Sequence, residues 1–123
     1  MALVLLIEDD FDLRQCLAEM LVLAGHQVVE ASDGLNGIEH FHKVHPDVVL
    51  TDISMPGKGG LDVIRELSLQ FPESSIIAMS GEGQEVLGQA RRLGACRTLS
   101  KPFSFTRLSE TLHEMCSATL QSV

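Results

Sequence analysis

Tryptophan and tyrosine are absent from this chain of 123 residues, and phenylalanine occurs only five times. A core so poor in rings must be aliphatic, built from Leu, Val, Ile and Met. The apolar fraction of 45% is enough for one globular core. Cations are also scarce: nine Lys and Arg stand against seventeen Asp and Glu, a formal net charge of −8. A duplex-DNA binder draws most of its affinity from cations on phosphates, so this balance argues against direct nucleic-acid binding. Cys16, Cys96 and Cys116 form no CxxC pair, and an odd, scattered set is not a disulfide framework. Reduced thiols in a cytoplasmic protein are the simpler expectation. No apolar run is long enough to span a membrane, so no membrane insertion is expected. The run Ala2 to Ile7 lacks a basic flank and meets acid at Glu8, unlike a secretory signal. Repeats and low-complexity segments are missing too. The length suits one compact domain, so residues 1–123 are expected to form a single domain with no effector domain in the chain.

What is present is an alternation. Short apolar runs at Leu3–Ile7, Gln27–Ala31, Val48–Thr51, Ile76–Met79 and Thr98–Leu99 read as strands buried on both faces. Helical spacing fills the gaps. Leu13, Leu17, Met20, Leu21 and Ala24 share one helix face, with Gly25 as the stop. Ile38 and Phe41 mark a second helix, starting near Ser32-Asp33-Gly34. Leu61, Ile64, Leu67 and Phe71 mark a third, ended by Pro72. Val86, Ala90 and Leu93 mark a fourth, closed by Gly94. Ser104 can cap a fifth, whose buried face is Phe105, Leu108, Leu112 and Met115. The expected fold is therefore α/β, a (βα)₅ doubly wound parallel sheet.

In such sheets, ligands sit outside the carboxyl ends of the strands. Strand one ends in Glu8-Asp9-Asp10, strand three in Asp52, strand four in Ser80 and strand five in Lys101-Pro102. In the flavodoxin-like order 2-1-3-4-5, strands one and three are neighbours, which crowds Glu8, Asp9 and Asp52. Like charges this close repel unless a cation lies between them, and hard oxygen ligands with open water positions suit Mg²⁺. Asp52 is then a candidate carboxylate nucleophile. Lys101 can neutralise an incoming phosphoryl group and Ser80 can donate a hydrogen bond to it.

These pieces, in this order, resemble the response-regulator receiver domains of two-component systems, the CheY-like superfamily. The matching segments are Leu5-Leu6-Ile7-Glu8-Asp9-Asp10 with Leu13-Arg14, then Val48-Val49-Leu50-Thr51-Asp52 with Met55-Pro56. Ser80-Gly81, Gly94-Ala95 and Lys101-Pro102-Phe103 follow. The resemblance places the family's acidic pair on Glu8 and Asp9, with Asp10 just outside. It implies Asp52 as phosphoacceptor, and Mg²⁺ held by Asp9, Asp52 and the backbone carbonyl of Ser54. It implies Ser80 as a hydroxyl switch and Lys101 as phosphate partner. The donor would be a sensor histidine kinase or a histidine phosphotransfer protein, and an unidentified output protein would read the result. Turnover enzymology is not expected, only self-catalysed phosphotransfer and slow self-dephosphorylation. One departure stands out. Three residues before the lysine, receivers often carry Tyr or Phe, whereas this chain has Thr98, so an aromatic switch is unavailable there. Gly81, Gly83 and Gly88 should loosen the fourth helix and the loop before it.

Two rivals compete. Asp10-Phe11-Asp12 matches the Asp-x-Asp of a haloacid-dehalogenase-like phosphatase, although the surrounding pattern is missing and the chain is short for one. A pseudo-receiver, a binding module that has lost phosphorylation, is opposed by the retention of Glu8, Asp9, Asp52, Ser80 and Lys101. Other features read as ordinary surface. His40, His42 and His45 lack common helical spacing and a completing ligand pattern for a metal. Arg91, Arg92, Arg97 and Arg107 read as solvated charge. Phe11 is open to either reading, an interaction residue beside the rim or a packed ring.

Overall fold

The computed structural model describes residues 2–55 and 59–121, with the side chains of the last helix as far as Met115. Pro56 and the side chain of Cys116 lie outside that description. Five strands alternate with five helices: β1 (Leu3–Ile7), α1 (Phe11–Leu23), β2 (Gln27–Ala31), α2 (Gly34–Val44), β3 (Val48–Asp52), α3 (Gly60–Gln70), β4 (Ile76–Ser80), α4 (Gln84–Leu93), β5 (Arg97–Ser100) and α5 (Phe105–Gln121). All pairings are parallel, in the order β2-β1-β3-β4-β5. This is the flavodoxin-like, doubly wound (βα)₅ arrangement expected from the alternation.

The strand period of two divides the core into two layers. Leu5, Ile7, Val49, Ile76 and Ala78 pack with Ile38, Phe41, Val63, Ile64, Leu67, Leu87 and Ala90 of α2, α3 and α4. Val4, Leu6, Val48, Leu50, Ile77, Met79 and Leu99 face the other way, onto Leu17, Leu21, Leu108, Leu112 and Met115 of α1 and α5. Because β1, β3 and β4 are covered on both faces, their sequences are apolar at nearly every position. Each fully buried Leu or Ile contributes about 1.5–3 kcal/mol relative to exposure.

The helix ends follow local chemistry. Asp10, Asp33 and Ser104 accept from the backbone N–H of Leu13, Asn36 and Arg107 at 3.2, 2.8 and 3.0 Å, capping α1, α2 and α5. Gly25 and Gly94 follow α1 and α4 with φ of +93° and +132°. At the end of α2 the same left-handed turn falls on His45, φ +48°, which the sequence did not signal.

Three expected core positions differ. Phe105 does not line the buried face of α5; it is 41% exposed. It stands in the first turn, and the space against the α1 layer is taken by Phe103, two residues earlier. In α4 the buried positions are Leu87 and Ala90, while Val86 and Leu93 are only half-buried against the core.

Candidate functional site

The carboxyl ends of β1, β3 and β4 bring the expected polar residues to one rim. Ile7 pairs with Thr51, and Thr51 with Ala78, so Glu8 and Asp52 emerge side by side one step later. Neither carboxylate is left to solvent: Glu8 is 1% exposed and Asp52 4%. Lys101, arriving just beyond β5, bridges them. Its Nζ lies 2.8 Å from Glu8 Oε1 and 3.0 Å from Asp52 Oδ1. The Lys101–Pro102 peptide is cis. The second Glu8 oxygen, Oε2, accepts the backbone N–H of Asp10 at 3.2 Å.

Asp9 completes the acidic group from the solvent side. One carboxylate oxygen each from Glu8, Asp9 and Asp52 gather within 4.8 Å of one another, the one such set of acid, His or Cys ligands among the described residues. Asp10 is outside it, committed to capping α1. Ser54 follows on the exposed loop after β3, and its backbone hydrogen bond helps stabilise the charged form of Asp52.

The electrostatics are those of crowded acids with one cation. Burial pushes the Glu8 carboxyl up, and the charge of Asp52 adds to this, against the pull of Lys101. Burial likewise raises Asp52, with Asp9 adding and Lys101 opposing. Burial alone would lower Lys101, but its hydrogen bonds to Glu8 and Asp52 outweigh that and raise it. One cation, Lys101, thus faces three carboxylates, which leaves the group with excess negative charge.

Ser80 is fully buried at the end of β4, next to Met79, the register partner of Asp52. Its Oγ accepts the backbone N–H of Glu82 at 2.9 Å, which ties the hydroxyl oxygen to the loop before α4. On the far side, Gly60 opens α3 against β3. Its N–H donates to the Ile53 carbonyl at 3.0 Å, and a Cβ there would collide with the Asp52 backbone. Sequence reading passed over Gly60 because nothing in its neighbours signals that close approach.

With this rim in place, the chain also matches the response regulator receiver domain family over residues 4–113. The chain belongs to that family. Among receiver relatives, it is 33% identical over 114 residues to the chemotaxis protein CheY of Thermotoga maritima, covering 91% of this chain and 95% of that one. It is 39% identical over 110 residues to the C4-dicarboxylate transport transcriptional regulatory protein DctD of Pseudomonas aeruginosa, covering 89% of this chain but 24% of that protein. A receiver domain structure from Clostridium thermocellum superposes with a TM-score of 0.94 at 28% identity, each chain fully covered. These likenesses identify a receiver of two-component systems.

The remaining candidates resolve against that receiver frame. Asp10 and Asp12 do not form a phosphatase pair, because Asp10 is the α1 cap and Asp12 an exposed first-turn acid. His40, His42 and His45 do not converge as ligands; His42 packs edge-on against Phe71 at 5.5 Å. Arg97 pairs with Glu114 at 3.6 Å, both half in solvent, and Arg91 and Arg92 lie exposed in the last turn of α4. Phe11 is 62% exposed with the Arg14 guanidinium over its ring, 5.4 Å from the centroid. Thr98, half-buried on β5, borders a hollow shared with Gln84, Leu87, Phe103 and Arg107. Of Gly81, Gly83 and the α4 residue Gly88, only Gly83 has a positive φ, +110°. Gly81 and Gly88 have room for a Cβ, so no close approach requires glycine at either position. No described helix is long and apolar enough to cross a membrane.

Proposed function

We propose that this receiver accepts a phosphoryl group on Asp52 from the phosphohistidine of a sensor kinase or histidine phosphotransfer protein. The observation that carries the reading is Lys101 Nζ, set between buried Glu8 and Asp52 at 2.8 and 3.0 Å. A phosphoryl acceptor needs an ionised nucleophile and a cation to meet the phosphoryl oxygens, with little covalent work beyond that. Asp52 supplies the first. An oxygen of its carboxylate attacks phosphorus, the P–N bond breaks, and the electron pair leaves with the imidazole nitrogen. Lys101 opposes the upward pull of burial on the Asp52 carboxyl and can shift its charge toward the new phosphate. Ser80 can leave Glu82 and donate its hydroxyl to a phosphate oxygen.

The donor set fits Mg²⁺: hard carboxylate oxygens, two buried and one exposed, with a side open to water. Asp9, Asp52 and the Ser54 carbonyl would hold the ion directly. Glu8, whose two oxygens already have partners, would add charge beside them. When bound, Mg²⁺ supplies positive charge against the phosphoryl oxygens. Residues 1–123 would thus act as a receiver domain, a phosphoacceptor with slow self-dephosphorylation rather than a turnover enzyme, in the cytoplasm and with an output protein still to be identified. Retention of the whole Asp–Lys–Ser set weighs against a pseudo-receiver.

The test is labelling from acetyl phosphate or a phosphorylated kinase in the presence of Mg²⁺. Wild type should take up one phosphoryl group and Asp52→Asn none, with the fold intact. Substantial labelling of folded Asp52→Asn would overturn the assignment.

A further inference from the structure

Asp9 is the least supported member of the acidic cluster. It is exposed, and no hydrogen bond or ion pair holds its carboxylate among the described residues. Glu8 and Asp52 are locked by Lys101, but Asp9 depends on the backbone that carries it. That backbone is gripped by Arg14. Its Nη1 donates to the Glu8 carbonyl oxygen at 2.8 Å, and this carbonyl belongs to the peptide that leads into Asp9. The same guanidinium donates from Nε to Glu30 Oε1 at 3.2 Å, at the end of β2. Glu30 is steadied in turn by Gln15 Nε2 at 3.1 Å. One face of the guanidinium is covered by Phe11, and the Arg14 side chain is 13% exposed. A planar fork with several fixed donors can hold two acceptors at once in a way a lysine ammonium cannot.

We propose that Arg14 is a positioning residue for the cation site: braced by Glu30 and Phe11, it clamps the Glu8 carbonyl and so fixes where Asp9 presents its carboxylate to a divalent cation. The inference rests on the Mg²⁺-dependent reading above and adds a part to it. Groups outside the ligand shell that orient a metal ligand change affinity about tenfold to a hundredfold when removed. Coulomb's law alone makes the opposite demand. Removing a cation beside three carboxylates, and leaving Glu30 unpaired, should tighten the binding of Mg²⁺. The sign of the change therefore separates a clamp from a bystander charge.

The experiment is a Mg²⁺ titration of the whole chain, followed by amide chemical shifts, for wild type, Arg14→Met and Arg14→Lys. Amide exchange at Asp9 and Asp10 is measured without metal alongside it. Arg14→Met should weaken Mg²⁺ about tenfold or more and speed exchange at both amides. Arg14→Lys retains the charge but not the fork, and should fall between. A core variant remote from the rim, Leu112→Val, should lower the melting temperature without changing Mg²⁺ affinity. Unchanged or tighter Mg²⁺ binding in Arg14→Met would overturn the proposal. If Arg14→Met does not fold, Arg14→Lys decides: wild-type affinity there overturns it. Failure of wild type to bind Mg²⁺ would instead sink the proposed function. The metal-free exchange would still judge the clamp, with unchanged exchange in the variants overturning it.

Discussion

At Asp52 and Glu8 two buried carboxylates share one lysine, and this sets an unusual pH response. Both groups hold their protons more tightly in the folded chain than at their ordinary values of 3.8 and 4.5. The stability linked to the protonated forms is therefore fully present below those values and is lost as pH rises through the higher folded ones. Lys101, itself raised, stays charged throughout that window. Without metal, Asp52→Asn should accordingly gain stability over wild type as pH rises from 4 toward 7, measured as the urea midpoint in ~1 unit steps across the ordinary carboxylate range. A gap between the two proteins that does not change with pH would contradict this. The carboxylates and Lys101 were legible in the sequence because they end strands, and parallel strands deliver their ends to one edge. The Arg14 clamp was not, because its key acceptor is a backbone carbonyl, which every residue has. The engagement of the Ser80 hydroxyl with Glu82 N–H was hidden for the same reason.

At the scale of elements, β1, β3 and β4 were readable as unbroken apolar runs because both of their faces are covered. β5 was foreseen only as Thr98–Leu99, since an edge strand with half-buried Arg97 and Thr98 carries a weaker apolar signal. Phe105 misled because helical spacing places it on the face of Leu108 and Leu112, while the first turn of α5 has not yet reached the layer those residues enter. The segment between β4 and α4 is where a signal should leave. Ser80 ties β4 to the Glu82 amide, and Gly83, with φ +110°, precedes α4 without a side-chain cap. A phosphoryl group at Asp52 adds about −1.5 to −2 charges nearby. It should draw the Ser80 hydroxyl away from Glu82 and release that loop. Thr98 is too small to follow it as a ring would. With beryllofluoride as a phosphoryl mimic, amide exchange should change strongly over residues 81–88 and little over 97–99. Equal changes in the two segments would show that Thr98 takes part.

Across the whole molecule, two aliphatic layers hold a sheet whose charged rim opposes its own folding. A cation that binds only the folded chain offsets this, by about 2.7 kcal/mol at a hundredfold excess over its Kd. Mg²⁺ should therefore raise the melting temperature of wild type, and Asp9→Ala should remove most of that rise. An equal Mg²⁺ response in both would take Asp9 out of the site. The division of labour is visible in composition: aliphatic strands build the platform, and the residues just past their ends carry the chemistry.

The central claim, that Asp52 forms an acyl phosphate, is tested most directly by trapping it. Borohydride reduces an aspartyl phosphate to homoserine, which peptide mass spectrometry locates by residue. After treatment with acetyl phosphate, homoserine should appear at position 52, with Mg²⁺ and not without it. Homoserine at position 9 or 10 instead, or the longer 2-amino-5-hydroxypentanoic acid that a glutamyl phosphate would give at Glu8, or unmodified Asp52 in a folded and Mg²⁺-loaded protein, would contradict the account.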